Sequence, residues 1–227
     1  MTRCGRATLR SGIVFWLSLA PGVGAAQATL AGTASISLFE HQVDIGDGAV
    51  QSSGLLFGVE GTVDVRSRLT LGMRAAGGSL STSALGAENR DVGEVGIQAS
   101  VAALRWLALR GGVTSRAYST PIARQRWTTV ELGAEARLDF AASPVRGVVR
   151  AGLVPVVSVS GLPGPDVALT GAAGIEYRGG SLTGGLFYGL ERYDFPDRGA
   201  GRRLEQVSTL TFRLSVRRGG RRPAAGM

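Results

Sequence analysis

The sequence predicts an all-β fold, an antiparallel up-and-down β-barrel of about ten strands. Three observations carry this. Apolar and polar residues alternate with a period of two through most of the chain beyond residue 29, the spacing that puts successive side chains on opposite faces of a strand. Glycine supplies 35 of 227 residues, about twice the usual ~7%, and each one inside a helix would cost ~1 kcal/mol relative to Ala. The connections between alternating segments are by turns short and long, a repeat of about 40 residues.

The first strand is 30–38, with Leu30, Ala34, Ile36 and Leu38 opposed to Thr33, Ser35 and Ser37. Next come 55–65 (Leu55, Phe57, Val59, Val63 against Glu60, Thr62, Asp64) and 69–75 (Leu69, Leu71, Met73 against Thr70, Arg74). Segments 94–101 and 107–114 follow, the former setting Val95, Ile97 and Val101 against Glu94 and Gln98. The longest run, 129–139, sets Val130, Leu132, Ala134, Ala136 and Leu138 against Thr129, Glu131, Glu135, Arg137 and Asp139. A helix would bring Glu131, Glu135 and Leu138 to one face, so helical periodicity fails there. Segments 149–153, 169–177, 182–191 and 209–216 complete ten. Eight is the alternative count, should the first strand or the 146–159 segment not form, the latter because Pro155 cannot donate to a ladder and weakens it. Short turns are expected near 65–68, 104–106, 140–145 and 178–180, and long polar loops at 40–53, 77–91, 115–127, 160–166 and 194–203.

Alternation alone does not say which face meets water. Across the strands one face lacks charge almost entirely, as a lipid-facing wall must, since an Arg at mid-bilayer costs ~2–4 kcal/mol. The other face is rich in Gly, Ala, Ser and Thr, which suit a narrow enclosed space. Aromatics sit at strand ends, and Phe39, Trp106, Tyr118, Trp127, Phe140, Tyr177 and Tyr193 are read as two girdles at the lipid boundaries. Lipid also excludes an open sheet edge, so the first and last strands must pair. The barrel is therefore expected to be transmembrane. The predicted lumen carries Glu60, Glu94, Glu131, Glu135, Glu176 and Glu191 with Arg74, Arg110, Arg137, Arg150 and Arg213, a nearly balanced network expected to plug and stiffen the barrel.

Residues 1–26 read as a secretory signal peptide. Arg3, Arg6 and Arg10 precede the apolar stretch 13–20, and small residues follow Pro21 and Gly22. That stretch is too short for a spanning helix of roughly 20 residues. Cys4 is the sole cysteine, so residues 27–227 carry no disulfide or thiolate chemistry. Every basic side chain is Arg. Without the three Arg of the leader and the four after Val216, 18 Arg face 17 acids, which argues against nucleic-acid binding. The domains expected are signal peptide 1–26, barrel 27–216 and a basic tail 217–227.

Signal peptide, two-sided strands, alternating turns and loops, and strand-end aromatics together resemble a bacterial outer-membrane β-barrel protein. The resemblance implies an outer-membrane location, membrane lipids as surroundings and a monomer, with an extracellular ligand open. Arg217 and Arg218 stand where such chains commonly close on an aromatic. The function expected is non-enzymatic, with a largely plugged lumen and loops serving interaction or envelope integrity; the alternatives are a narrow channel for small solutes and a hydrolase at the barrel mouth. His41, the only His, falls in the predicted first loop with Glu40, Asp44 and Asp47, and a His beside carboxylates can act as a general base. Barrel proteases of the omptin type use a His–Asp pair near the mouth, but their paired acids have no residue-by-residue match here. Asp44, Asp47, Asp194 and Asp197 match no Ca²⁺-loop spacing. No catalytic residue, metal site or cofactor is assigned.

Overall fold

A computed structural model describes residues 29–46, 48–66, 68–83, 88–197 and 201–218. The expected signal peptide lies outside them, as does the tail beyond Arg218. Ten strands form one closed barrel: β1 (Thr29–Ile45), β2 (Gly48–Arg66), β3 (Leu69–Thr82), β4 (Arg90–Ala102), β5 (Leu107–Ser119), β6 (Arg124–Asp139), β7 (Val145–Val159), β8 (Val167–Gly179), β9 (Leu182–Phe195) and β10 (Arg203–Arg218). Each is antiparallel to its chain neighbour, and β1 closes on β10 from Leu30 opposite Arg218 to Ile45 opposite Arg203. Backbone groups therefore find partners around the whole ring, as a wall in hydrocarbon requires. Arg217 and Arg218 extend the last strand rather than begin a tail.

Ten strands, not eight, result because the chain accommodates Pro155. The β6–β7 register shifts between Val130 and Leu132, and β7 pairs with β8 only as far as Leu153. Pro155 thus sits beyond the β8 ladder, where its missing N–H deprives no partner.

The outer wall is apolar. Phe57, Ile97 and Leu153 are each about 61–62% exposed, in company with Leu71, Met73, Val95, Leu109, Leu132, Ile175, Leu186, Phe212 and Leu214. So much exposed aliphatic surface is far outside what a water-soluble monomer presents.

Three of the five expected long loops are mostly strand. The connections expected at 160–166 and 194–203 match, the latter except for strand residues 194, 195 and 203. The 40–53 segment is mostly strand, with Gly46 at φ +56° making the tight turn between β1 and β2. Strands also occupy most of 77–91 and 115–127. The polar composition of these segments reflects height rather than loop structure. The strands run past the end of the apolar wall, and there Glu40, Gln42, Asp91, Arg124, Arg126 and Arg192 take the outward positions that Leu and Val hold lower down.

The bore has two zones. Toward the end away from the termini, the loop end, its side chains form the buried apolar cluster: Phe39, Leu56, Leu80, Val92, Tyr118, Trp127, Val154, Val159, Ala168, Tyr193, Phe195 and Val207. Toward the terminal end the bore is polar. This corrects the girdle reading for Phe39, Tyr118, Trp127 and Tyr193, which are 3–4% exposed and fill the interior. Position along a strand sets height, but odd–even parity sets the face, and these four share parity with the lumen residues. Phe140 and Tyr177 keep the outward parity of β6 and β8 at the short-turn rim, and Trp106 lies in the connection between β4 and β5; the three are 51–58% exposed.

Candidate functional site

The parity that turns Arg110 inward on β5 also turns Arg116 inward, three two-residue repeats nearer the loops. Arg116 crosses the bore. Its Nη1 and Nη2 donate to the two carboxylate oxygens of Glu191 on β9, both at 2.9 Å, and its Nε donates to Glu94 Oε2 on β4 at 2.7 Å. β5 and β9 are four strands apart around the ring, so the paired fork spans the lumen. Tyr193 Oη donates to Glu191 at 2.9 Å, Arg74 meets Glu94 at 3.0 Å, and the Phe39 ring lies 5.5 Å from the Arg116 guanidinium. Each buried carboxylate is thus paired and further hydrogen-bonded, the condition under which buried charge is tolerated.

Above this bar lies a second layer. His41 Nε2 is 2.8 Å from Glu205 Oε2, and Arg203 donates to Glu205 Oε1 at 2.7 Å. The His41 ring stacks on Tyr118 at 4.9 Å, again across four strands. Trp127 packs edge-on against Tyr193 and Phe195 at 5.1 and 6.0 Å. His41 and Glu205 are 2% and 0% exposed. The His read as a loop residue is therefore a strand residue within the plug, and no substrate reaches it in this conformation.

Below the bar, Glu135 on β6 gathers three guanidiniums: Arg137 at 2.7 Å, Arg150 at 2.7 Å and Arg110 at 3.3 Å. Gln98 joins Arg110 to Glu60, at 2.5 and 2.6 Å. Glu131 accepts from the Thr170 hydroxyl at 3.0 Å, and Glu176 pairs with Arg146 at 2.5 Å. Arg213 instead lies over the Phe187 ring at 4.9 Å. All eleven expected network residues therefore face the bore, in two groups: Glu94, Glu191 and Arg74 belong to the bar, and the others line the space beneath.

Sequence reasoning missed Arg116, Arg203, Glu205, Gln98, Arg146 and Phe187. Arg116 and Arg203 fall in the expected loops 115–127 and 194–203, and Glu205 falls between the second of these and the last expected strand, yet extending the two-residue count outward from Arg110 and Arg213 reaches all three. Among the described residues the acidic cluster weighed for Ca²⁺ is not assembled. Asp44 accepts from Gln42 at 2.9 Å and Asp194 from Arg202, Asp47 lies outside the described residues, and among the described residues no group of three or more His, Cys, Asp or Glu is placed to hold a metal. At this rim, beyond the apolar wall, the hydrogen bonds from Arg202 hold the Asp194 carboxyl below its ordinary pKa.

The chain matches a solved structure of this architecture, the outer-membrane protease OmpT of Escherichia coli, with TM-score 0.55 at 9% identity over 86% of this chain and 97% of that one. The fold is that of bacterial outer-membrane β-barrels. Two other barrels align more loosely. One is the translocator domain of the autotransporter NalP from Neisseria meningitidis (TM-score 0.44, 14% identity, 86% and 88% covered). The other is the Neisserial surface protein NspA (TM-score 0.39, 8% identity, 82% and 96% covered). No protein-family model matches the chain, and no curated protein matches it. The barrel likeness extends to fold alone.

Proposed function

We propose that this protein is an exported outer-membrane barrel with a closed bore, serving the envelope as a non-enzymatic structural element rather than as an open pore. The observation that carries the reading is the Arg116–Glu191 fork across the lumen, overlain by the packed layer of His41, Tyr118, Trp127, Tyr193 and Phe195. Between the bar and Trp127 the free space is about 20 Å³, room for about one water. The short connections at the loop end favour an envelope role over ligand capture by long loops.

OmpT is a protease, but in this chain the His–carboxylate pair is sealed inside the plug, which favours a structural role for it. Conductance in planar bilayers tests the reading. Protein whose folding is verified by different gel migration before and after boiling carries no steady current, while a steady open-pore current overturns the closed bore. Turnover of peptide substrates by the folded barrel overturns the non-enzymatic assignment.

A further inference from the structure

We propose that the terminal half of the bore holds a binding site for a small soluble oxyanion, inorganic phosphate being the probe, formed by Arg213 and Arg150 above Phe187. The two guanidiniums lie 4.9 and 5.4 Å from the centroid of the same ring. The ring is seated firmly, because the wall behind it is glycine. A Cβ added at Gly185 would stand 2.7 Å from Phe187 Cε2, and one at Gly174 would overlap the ring and stand 2.5 Å from the Leu186 carbonyl oxygen. Two like charges are thus held over one rigid aromatic surface.

Their neutralisation is incomplete. Arg150 donates to Glu135, a carboxylate that Arg110 and Arg137 already share. Arg213 has no carboxylate within ion-pair distance among the described residues, and its contact is the Phe187 ring. The carboxylates that face the same space are engaged by other groups: Glu60 by the Gln98 amide, Glu131 by the Thr170 hydroxyl and Glu176 by Arg146.

Space adjoins the pair on both sides. A cavity of about 130 Å³ holds Arg150 and Arg213 in its wall with the hydroxyls of Thr33, Thr183 and Ser215. A second of about 140 Å³ shares the same two arginines and adds Arg110 and Thr209. Each admits a tetrahedral oxyanion with several waters, at ~30 Å³ per water. Paired guanidiniums with neighbouring hydroxyls are the donor set that planar and tetrahedral oxyanions take.

The test is the thermal midpoint of the folded barrel, read by gel migration in an uncharged, phosphate-free detergent. Inorganic phosphate raises the midpoint saturably over sodium chloride of equal ionic strength, as binding to the folded state requires. Arg213→Gln raises the apparent Kd at least tenfold, and Thr183→Asp, which adds a carboxylate to the cavity, does the same should the first variant not fold. Arg202→Gln, at the opposite rim, leaves the shift intact. Equal effects of phosphate and chloride, or a phosphate shift retained in Arg213→Gln and Thr183→Asp, would overturn the site. A shift produced by phosphatidylglycerol in place of inorganic phosphate would overturn the soluble-anion assignment. None of these readouts depends on whether the bore conducts, so this site and the closed-bore reading fail separately.

Discussion

Replacing Arg116 by Met removes the guanidinium that joins β4, β5 and β9 across the lumen. It leaves Glu94 and Glu191 facing a bore in which their side chains are 10% and 25% exposed. Breaking a buried pair by deleting one partner costs ~3–5 kcal/mol, because the survivor keeps its desolvation penalty. Here Arg74 still meets Glu94 and Tyr193 still donates to Glu191, which places the expected loss near ~3 kcal/mol, a factor of roughly 10² in the folding equilibrium. Removing the carboxylate as well reverses most of that loss, since a buried ion pair exchanged for apolar side chains of similar volume is often neutral. The Arg116→Met, Glu191→Leu double variant is therefore expected within ~1 kcal/mol of the parent, with a coupling energy of ~2 kcal/mol. Urea unfolding from lipid vesicles, followed by gel migration and tryptophan emission, measures all four corners of the cycle. A coupling below ~0.5 kcal/mol, the additivity limit for independent sites, would refute the claim that the fork braces the bore.

Ile97→Arg or Leu153→Arg on the outer wall is expected to lose ~2–4 kcal/mol of folding stability in vesicles, whereas Thr209→Arg, pointing into the bore, leaves the outer wall's contact with lipid unchanged; equal partitioning of all three between folded and aggregated fractions would contradict the sidedness. Gly174→Ala forces a Cβ against backbone and the Phe187 ring and is expected to destabilise by ~1–3 kcal/mol, while Gly61→Ala, with nothing within 4 Å, is neutral in the same melt. At the rim, the lowered Asp194 pKa means its pairing with Arg202 contributes above the ordinary carboxylate range and is lost as pH falls through the lowered folded value. Because the Arg202 side chain is largely in solvent, Asp194→Asn is expected to lower the midpoint only slightly at neutral pH.

Much of the barrel was legible because its strands obey one rule. The run 129–139 alternates without interruption, and its charged side chains stand on the bore face that the alternation assigned. The plug was not legible for a physical reason. Where the strands outrun the apolar wall, both faces change character together: Glu40, Gln42 and Arg192 appear outside while Phe39, Leu80 and Trp127 appear inside. A polar outward set looks like loop, and an inward aromatic at a strand end looks like a girdle residue. His41 shows the cost most plainly, since neighbouring acids made it look exposed although its own parity matches Ser35, Ser37 and Phe39. Long-range partners such as Glu205, 164 residues away, leave no mark on local periodicity.

The two tryptophans among the described residues differ in setting, Trp106 half exposed at the short-turn rim and Trp127 buried inside the plug. Quenching of tryptophan fluorescence by lipids brominated near the headgroup end of the acyl chain reads that difference directly. With Trp127→Phe, emission from Trp106 is expected to be strongly quenched; with Trp106→Phe, emission from Trp127 stays blue and is scarcely quenched. Strong quenching of Trp127, or none of Trp106, would mean that the uncharged face does not meet hydrocarbon and the packed aromatic layer does not fill the bore.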